Sequence, residues 1–284
     1  MNTLVLTAIA MLAFAGNSLL CRMALGADLI DAASFTSIRI ASGALTLGLL
    51  ILPGWRTRCH MPPDWRSVTA LFGYMIFFSF AYLSLSAGTG ALILFGAVQL
   101  TMFIVALKSG EHFPGLSWAG LSLAIGGLVY LVSPGVTAPD PLGASMMAIA
   151  GIAWGWYSLR GKTAADPMES TAWNFIYSVP FAVVASLLFI RNYHVTATGA
   201  GLAVASGATT SGLGYFVWYA ALRGLTAMRA ATVQLSVPVI AAFGGVMLLD
   251  ENITLRLLIA SAATLGGIAI VLRQKGQKNE EQAS

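Results

Sequence analysis

The chain has 284 residues, of which 57% are apolar and 9% charged, and its mean hydropathy of +0.80 lies far from soluble globular proteins, where about a quarter of residues carry charge. That composition predicts an integral membrane protein. A net charge of +4 in such a chain sets the orientation of loops across a bilayer rather than recruiting nucleic acid, and two cysteines without metal-ligand spacing give neither a disulfide framework nor a thiolate metal site.

Ten apolar spans are predicted, at residues 3 to 21, 33 to 52, 66 to 87, 90 to 108, 114 to 133, 141 to 160, 170 to 190, 199 to 222, 227 to 248 and 255 to 273. Their lengths suit helices crossing a hydrocarbon core of about 30 Å, and the alternating pattern of barrel strands is absent. Between them lie turn residues such as Pro53-Gly54, Pro62-Pro63, Pro134-Gly135 and Asp166-Pro167. The first span has no basic leader and no clear cleavage site, so it reads as a retained helix rather than a signal peptide. The polar tail at residues 274–284 is expected to be disordered.

An internal repeat organises these spans. The stretch from Ala230 to Leu272 holds an apolar run with Gln234 and Pro238, a polar break at Asp250-Glu251-Asn252, and a second run carrying Gly266-Gly267. The first half has the same grammar, with Gly110-Glu111-His112 as its break and Gly126-Gly127 after it. Residues 1–135 and 136–273 are thus read as two five-helix repeats. With the N-terminus cytoplasmic, eleven of the fifteen cations fall on one side, among them Arg160 and Lys162. Arg22, Arg191 and Arg256 fall on the other, and Arg39 lies within the second span. This bias puts both termini in the cytoplasm, and an odd number of helices per repeat makes the two repeats inverted.

Two five-helix halves, each with a Glu before its last helix and a Gly-Gly within it, resemble the EamA-type members of the drug/metabolite transporter superfamily. Arg39, Ala15-Gly16-Asn17, Trp154-Gly155-Trp156 and Pro238 fit the same pattern. By overall similarity the chain looks most like the YddG branch of amino-acid exporters. The resemblance covers about residues 3 to 273 and implies a multi-pass transporter of the inner membrane, without a cofactor, that moves aromatic and other apolar amino acids outward. Val98 stands at the first-half position matching Pro238, so a hinge made by that proline exists in one half only.

Arg39 is the one ionisable residue well inside a span. It could snorkel to the outer headgroups, hold the halves together, or meet a substrate carboxylate. No carboxylate is mid-span, and His60, His112 and His194 lie in loops, which predicts uncoupled facilitated transport rather than proton antiport. Glu111 and Glu251 could titrate, or could cap the helices that follow them. The mid-span polar residues Asn17, Gln99, Gln234, Asn174 and Ser158 suggest a polar-spotted cavity between the halves. Aromatic faces formed by Trp154 with Tyr157 and Ser158, by Tyr74, Phe78 and Tyr82, and by Tyr215, Trp218 and Tyr219 supply apolar walls, and Tyr177 joins the candidate substrate contacts. Trp55, Trp65, Trp118 and Trp173 suit an interfacial belt. The small-residue spacings Gly120/Ala124 and Ala262/Gly266 allow close packing of the fifth and tenth helices, with each other or with another subunit, so the chain is read as a monomer or a weak homodimer. Nothing supplies the nucleophile and base of an intramembrane enzyme, the filter of a channel, or a nucleotide-binding loop. The expected partners are a small amino-acid-like solute and membrane lipid.

Overall fold

The computed structural model describes residues 2–52, 63–110, 113, 115–161, 164, 166–225 and 227–281. Glu111, and with it the tip of the first-half hairpin, lies outside these residues, as do Trp55, Cys59, His60 and His112. The helices are α1 (Thr3–Gly26), α2 (Ala32–Ile51), α3 (Trp65–Ala81), α4 (Ala87–Lys108), α5 (Gly115–Val132) and α6 (Pro141–Gly161) in the first part of the chain. They continue with α7 (Pro167–Leu188), α8 (Ala197–Ala205), α9 (Gly214–Leu222), α10 (Ala227–Gln234), α11 (Ser236–Leu249) and α12 (Leu255–Glu281). A π-helical segment, Ser206–Leu213, joins α8 to α9 as one span, and α10 and α11 form another, interrupted only at Leu235. Among the described residues the only β pairing is an isolated antiparallel bridge between Ile30 and Val195.

Eight helices are long and apolar enough to cross a membrane by length and composition. The 17-residue α3 and the α8–π–α9 span bring the number to ten. Polar residues at the ends fix where each helix starts. The side chains of Asp31, Ser86 and Thr196 accept the free N–H groups of Ser34, Thr89 and Gly199, and Asp166 caps α7, whose first residue is Pro167. Pro238 falls in the first turn of α11, where a missing N–H leaves no helical bond unmade. The last helix runs past the expected span end at residue 273 to Glu281, through a Lys-, Gln- and Glu-rich sequence of good helix formers.

Packing pairs the two halves. Helix α3 lies on α6 while α1 lies on the α8–π–α9 span, and α4 meets α6 while α1 meets α11. Helices α2 and α7, α4 and α11, and α5 and α12 pack across the halves. Each pairing maps onto another, or onto itself, when the spans are shifted by five. Near the end of α1, Arg22 reaches the carbonyl of Tyr82 just after α3, whereas near the end of α6, Arg160 reaches Asp64 just before α3. Helices α1 and α6 therefore run in opposite directions, and the two ends of the bundle are named below by these arginines.

The small residues Gly120 and Ala124 of the fifth span are used inside the chain, but on the tenth the contact falls to Ala263, Thr264 and Gly267, whereas Ala262 is exposed and a Cβ on Gly266 would meet nothing. A Cβ on Gly120 would lie 2.7 Å from the carbonyl oxygen of Gly267, and one on Gly127 would lie 2.6 Å from Thr264 Oγ1, so α5 and α12 touch backbone to backbone. Outward-facing Leu49, Leu123, Val183, Leu187, Phe243 and Met247 remain exposed, as lipid-facing side chains are. The molecule is an all-α, multi-pass membrane protein.

Candidate functional site

At the centre of the bundle lies Arg39, only 1% exposed. Its Nε donates to Ser211 Oγ at 3.2 Å and its Nη2 to Tyr74 OH at 3.1 Å, while Nη1 has no partner among the described residues. The guanidinium carbon sits 5.4 Å from the Tyr74 ring centre and 5.0 Å from that of Phe78. No ion pair to Arg39 forms among the described residues, so a permanently charged group is held in the interior by hydroxyls and ring faces alone. It does not snorkel to a membrane surface.

The π segment explains how this group is held. Its sequence, Ser-Gly-Ala-Thr-Thr-Ser-Gly-Leu, is rich in small hydroxyl residues, and Thr209 and Thr210 bond back to the carbonyls of Ala205 and Ser206 at 2.5 and 2.7 Å. Gly207 lets α2 come so close that a Cβ there would strike the Arg39 carbonyl and the Ser42 hydroxyl. The wider turn brings Ser211 to Arg39, and brings Ser206 and Thr210 to Asn17 Oδ1 at 2.8 and 3.4 Å. Asn17 Nδ2 in turn donates to Tyr74 OH at 3.3 Å. This polar chain faces aromatic walls, where Trp154 packs 4.8 Å from Tyr74 and stacks on Tyr215 at 5.3 Å. The cavity between them, of about 20 Å³, has room for roughly one water. Its chemistry is that of a small amphipathic ligand: one free cationic donor beside apolar rings.

The two ends of the bundle differ. At the Arg22 end, Arg22 Nε pairs with Glu251 Oε1 at 3.2 Å, and Glu251 accepts the Ala87 N–H at 3.1 and 2.9 Å, capping α4. Asp250, at φ 52°, ends α11 in the left-handed region and turns Glu251 back toward α1 and α4, while Thr254 takes over the start of α12 through the Leu257 N–H. Beside this pair, Asp31 and His194 exchange hydrogen bonds of 2.8 and 3.1 Å, and Arg256 Nη1 reaches the Ser133 carbonyl at 2.5 Å.

At the Arg160 end a vestibule of about 260 Å³ opens between α3, α6 and α7. Arg160 Nη2 meets Asp64 at 2.8 Å on its rim, and Ser67 donates to the same carboxylate at 2.6 Å. Burial pushes the Asp64 carboxyl up, but the hydrogen bonds from Ser67 and Arg160 and the Arg160 charge outweigh it and hold the group below its usual value. Tyr157 lines the vestibule and stacks on Trp154, which lines the central cavity, with ring centres 5.5 Å apart. One aromatic layer thus separates the two spaces. Thr171 ties it, accepting from Tyr157 OH at 3.1 Å and sharing a 2.8 Å hydrogen bond with Tyr219 OH.

Comparison with known proteins fits this arrangement. Residues 141–273 match the model of the EamA-like transporter family. An uncharacterized protein of Pseudomonas aeruginosa is 50% identical over 271 residues, covering 95% of this chain and 94% of its own. The chain belongs to the EamA-like transporter family, within the drug/metabolite transporter superfamily. A protein of Escherichia coli named "Probable amino-acid metabolite efflux pump" is 25% identical over 210 residues, covering 65% of this chain and 70% of its own. One crystal structure shares the fold with a TM-score of 0.65 at 18% identity, covering 96% of this chain and 97% of that one.

Within this transporter the sequence candidates separate. Asn17, Tyr74, Phe78, Trp154, Gln234 and Arg39 line the central cavity. Tyr157 and Tyr177 line the vestibule instead, with Tyr177 stacked on Trp173. Tyr82 is buried at the end of α3, donating to the Ala87 carbonyl and filling the space left by Gly90. Trp218 packs edge-on against Phe14, behind the wall. Ser158 is spent on the Trp154 carbonyl of its own helix, and Gln99 is buried on α4 away from both spaces. Pro238 is buried at the start of α11, and Glu251 belongs to the Arg22 end. Phe14, Thr210 and Ser211 line the cavity without having been singled out, and the hydroxyl-rich run of the eighth span was the available signal.

Proposed function

We propose that this transporter is a secondary carrier in which two inverted five-span halves, residues 1–135 and 136–273, rock so that the central cavity opens to one side at a time. The cargo is a small amphipathic carboxylic acid, with amino acids bearing apolar or aromatic side chains the first class to test, moved outward across the inner membrane. The unpartnered Nη1 of buried Arg39 carries this reading. A carboxylate would supply the missing counter-charge and acceptor, while the cargo's apolar body would lie against Trp154 and Tyr215. The name of the Escherichia coli relative favours both substrate and direction. Uncoupled transport is favoured because, among the described residues, no Asp, Glu or His lines the cavity to carry a proton.

The test is uptake of radiolabelled phenylalanine and leucine by liposomes holding the purified protein, without an ion gradient. Uptake should saturate, accelerate with substrate on the far side, and fall by at least about tenfold in Trp154→Ala, since base-free aromatic walls supply most of the contact area. Transport that rises with an imposed proton gradient at a fixed substrate gradient would replace the uncoupled mechanism with a coupled one.

A further inference from the structure

We infer that the cavity selects carboxylates that lack an ammonium group, so that its preferred cargo is an apolar or aromatic monocarboxylate of the 2-oxo-acid type rather than the zwitterionic amino acid. This rests on the carrier reading above and concerns the same site.

Among the described residues Arg39 is the only formally charged one lining the cavity, and it is cationic. The carboxylates of Glu251 and Asp64 are each held by an arginine at opposite ends of the bundle. An amino acid with its carboxylate on Arg39 would bring its own ammonium within a few ångströms of the guanidinium, in a site that offers no anion to meet it. The acceptors that could take its protons are all neutral, Gln234 among them, and two of them are already engaged. Asn17 Oδ1 receives Ser206 and Thr210, and Tyr74 OH receives both Asn17 Nδ2 and Arg39 Nη2. The Tyr74 and Phe78 faces, which could stabilise a cation, already face the guanidinium. Desolvating an ammonium without a partner is costly. A 2-oxo group at the same carbon is an acceptor only, suited to the unpartnered Nη1 donor of Arg39.

Charge balance follows from this choice. A monoanion crossing on a carrier whose arginine stays protonated moves one net negative charge, which an inside-negative membrane potential drives outward. A zwitterion moves none.

Purified protein in liposomes is given phenylpyruvate, phenylalanine and phenethylamine, with half-saturation measured for each and transport currents recorded on a supported membrane. The expected result is half-saturation at least about tenfold lower for phenylpyruvate than for phenylalanine, no saturable handling of phenethylamine, and a current with phenylpyruvate only. In Arg39→Gln the two acids should come within about twofold of each other, whereas Arg39→Lys keeps their order. Phenylalanine bound as well as or better than phenylpyruvate, or a preference that survives Arg39→Gln, overturns the inference and leaves the carrier reading intact. Transport of neither acid overturns both. Should Arg39→Gln fail to fold, the half-saturation ratio and the current of the unaltered protein decide alone.

Discussion

The Arg22 end of the cavity is closed by charge and backbone, the Arg160 end by rings and hydroxyls. At the first, Glu251 from the second half satisfies both an arginine and a helix N-terminus of the first half, and Asp31 with His194 adds a second seam. At the second, Tyr157, Trp154 and Tyr219 form a single layer tied through Thr171. A partly buried ion pair that also caps a helix is worth more than neutral hydroxyl bonds of about 1 kcal/mol each. In the proposed carrier this difference makes the Arg160 end, which carries the start of α1, the first to yield. In the proposed carrier that end faces the cytoplasm, where an exporter loads.

The largest effect should come from removing the charged seal. Glu251→Ala leaves Arg22 without its counter-charge, holding only backbone carbonyls, and Ala87 without its cap, a loss of about 3 kcal/mol from the closed end. Cys21, fully buried on α1 beside Arg22, is the natural reporter. In a Cys59→Ser background its labelling by an impermeant maleimide from the Arg22 side should rise by at least about tenfold. Labelling as slow as in the parent would mean that helix packing, not this ion pair, closes the end.

The same comparison marks how far the sequence could be read. Span number was legible because a bilayer dictates helix length, and of the two hairpins read from the repeat the one with Glu251 at its turn is seen, while the tip with Glu111 lies outside the described residues. Arg39 stood out as the lone cation inside a span. The direction of its guanidinium was not legible, because it depends on the π segment, and Ser206, Thr210 and Ser211 resemble any small hydroxyl run until the backbone widens. Glu251 read as a cap for α12 and in fact caps α4, because one left-handed residue, Asp250, reverses the chain. Gln99 illustrates a further limit: α4 is buried on several sides, so a mid-span polar residue there does not point to the cavity.

An intermediate effect is expected from Thr171→Val, which keeps the shape and removes both hydroxyl ties of the aromatic layer. Losing about 1 to 2 kcal/mol of hydrogen bonding should loosen the Arg160 end and speed substrate exchange across liposomes by about fivefold to thirtyfold. The Arg22 end should be untouched, so Cys21 labelling stays at the parent rate. Exchange unchanged by the substitution would show that ring stacking between Trp154, Tyr157 and Tyr215, rather than the hydroxyls, sets the barrier.

The smallest effect belongs to Asp64→Asn, although it removes an ion pair as surely as Glu251→Ala does. Its partners, Arg160 and Asp64, are 32% and 41% exposed on the vestibule rim, so solvent screens them and the pair is worth less than about 1 kcal/mol. The Asp64 carboxyl is held below the ordinary value of 3.8, so its contribution to stability is fully present above that value and is lost as pH falls through the lowered one. Thermal unfolding of the parent and Asp64→Asn should therefore differ by a small constant amount from about pH 5 upward, the gap closing below 3.8. Transport at neutral pH should change by less than about threefold, because a screened rim pair adds little to the barrier. A larger loss would move Asp64 and Arg160 from the rim into the gate, and would make the two ends of the cavity alike in being closed by charge.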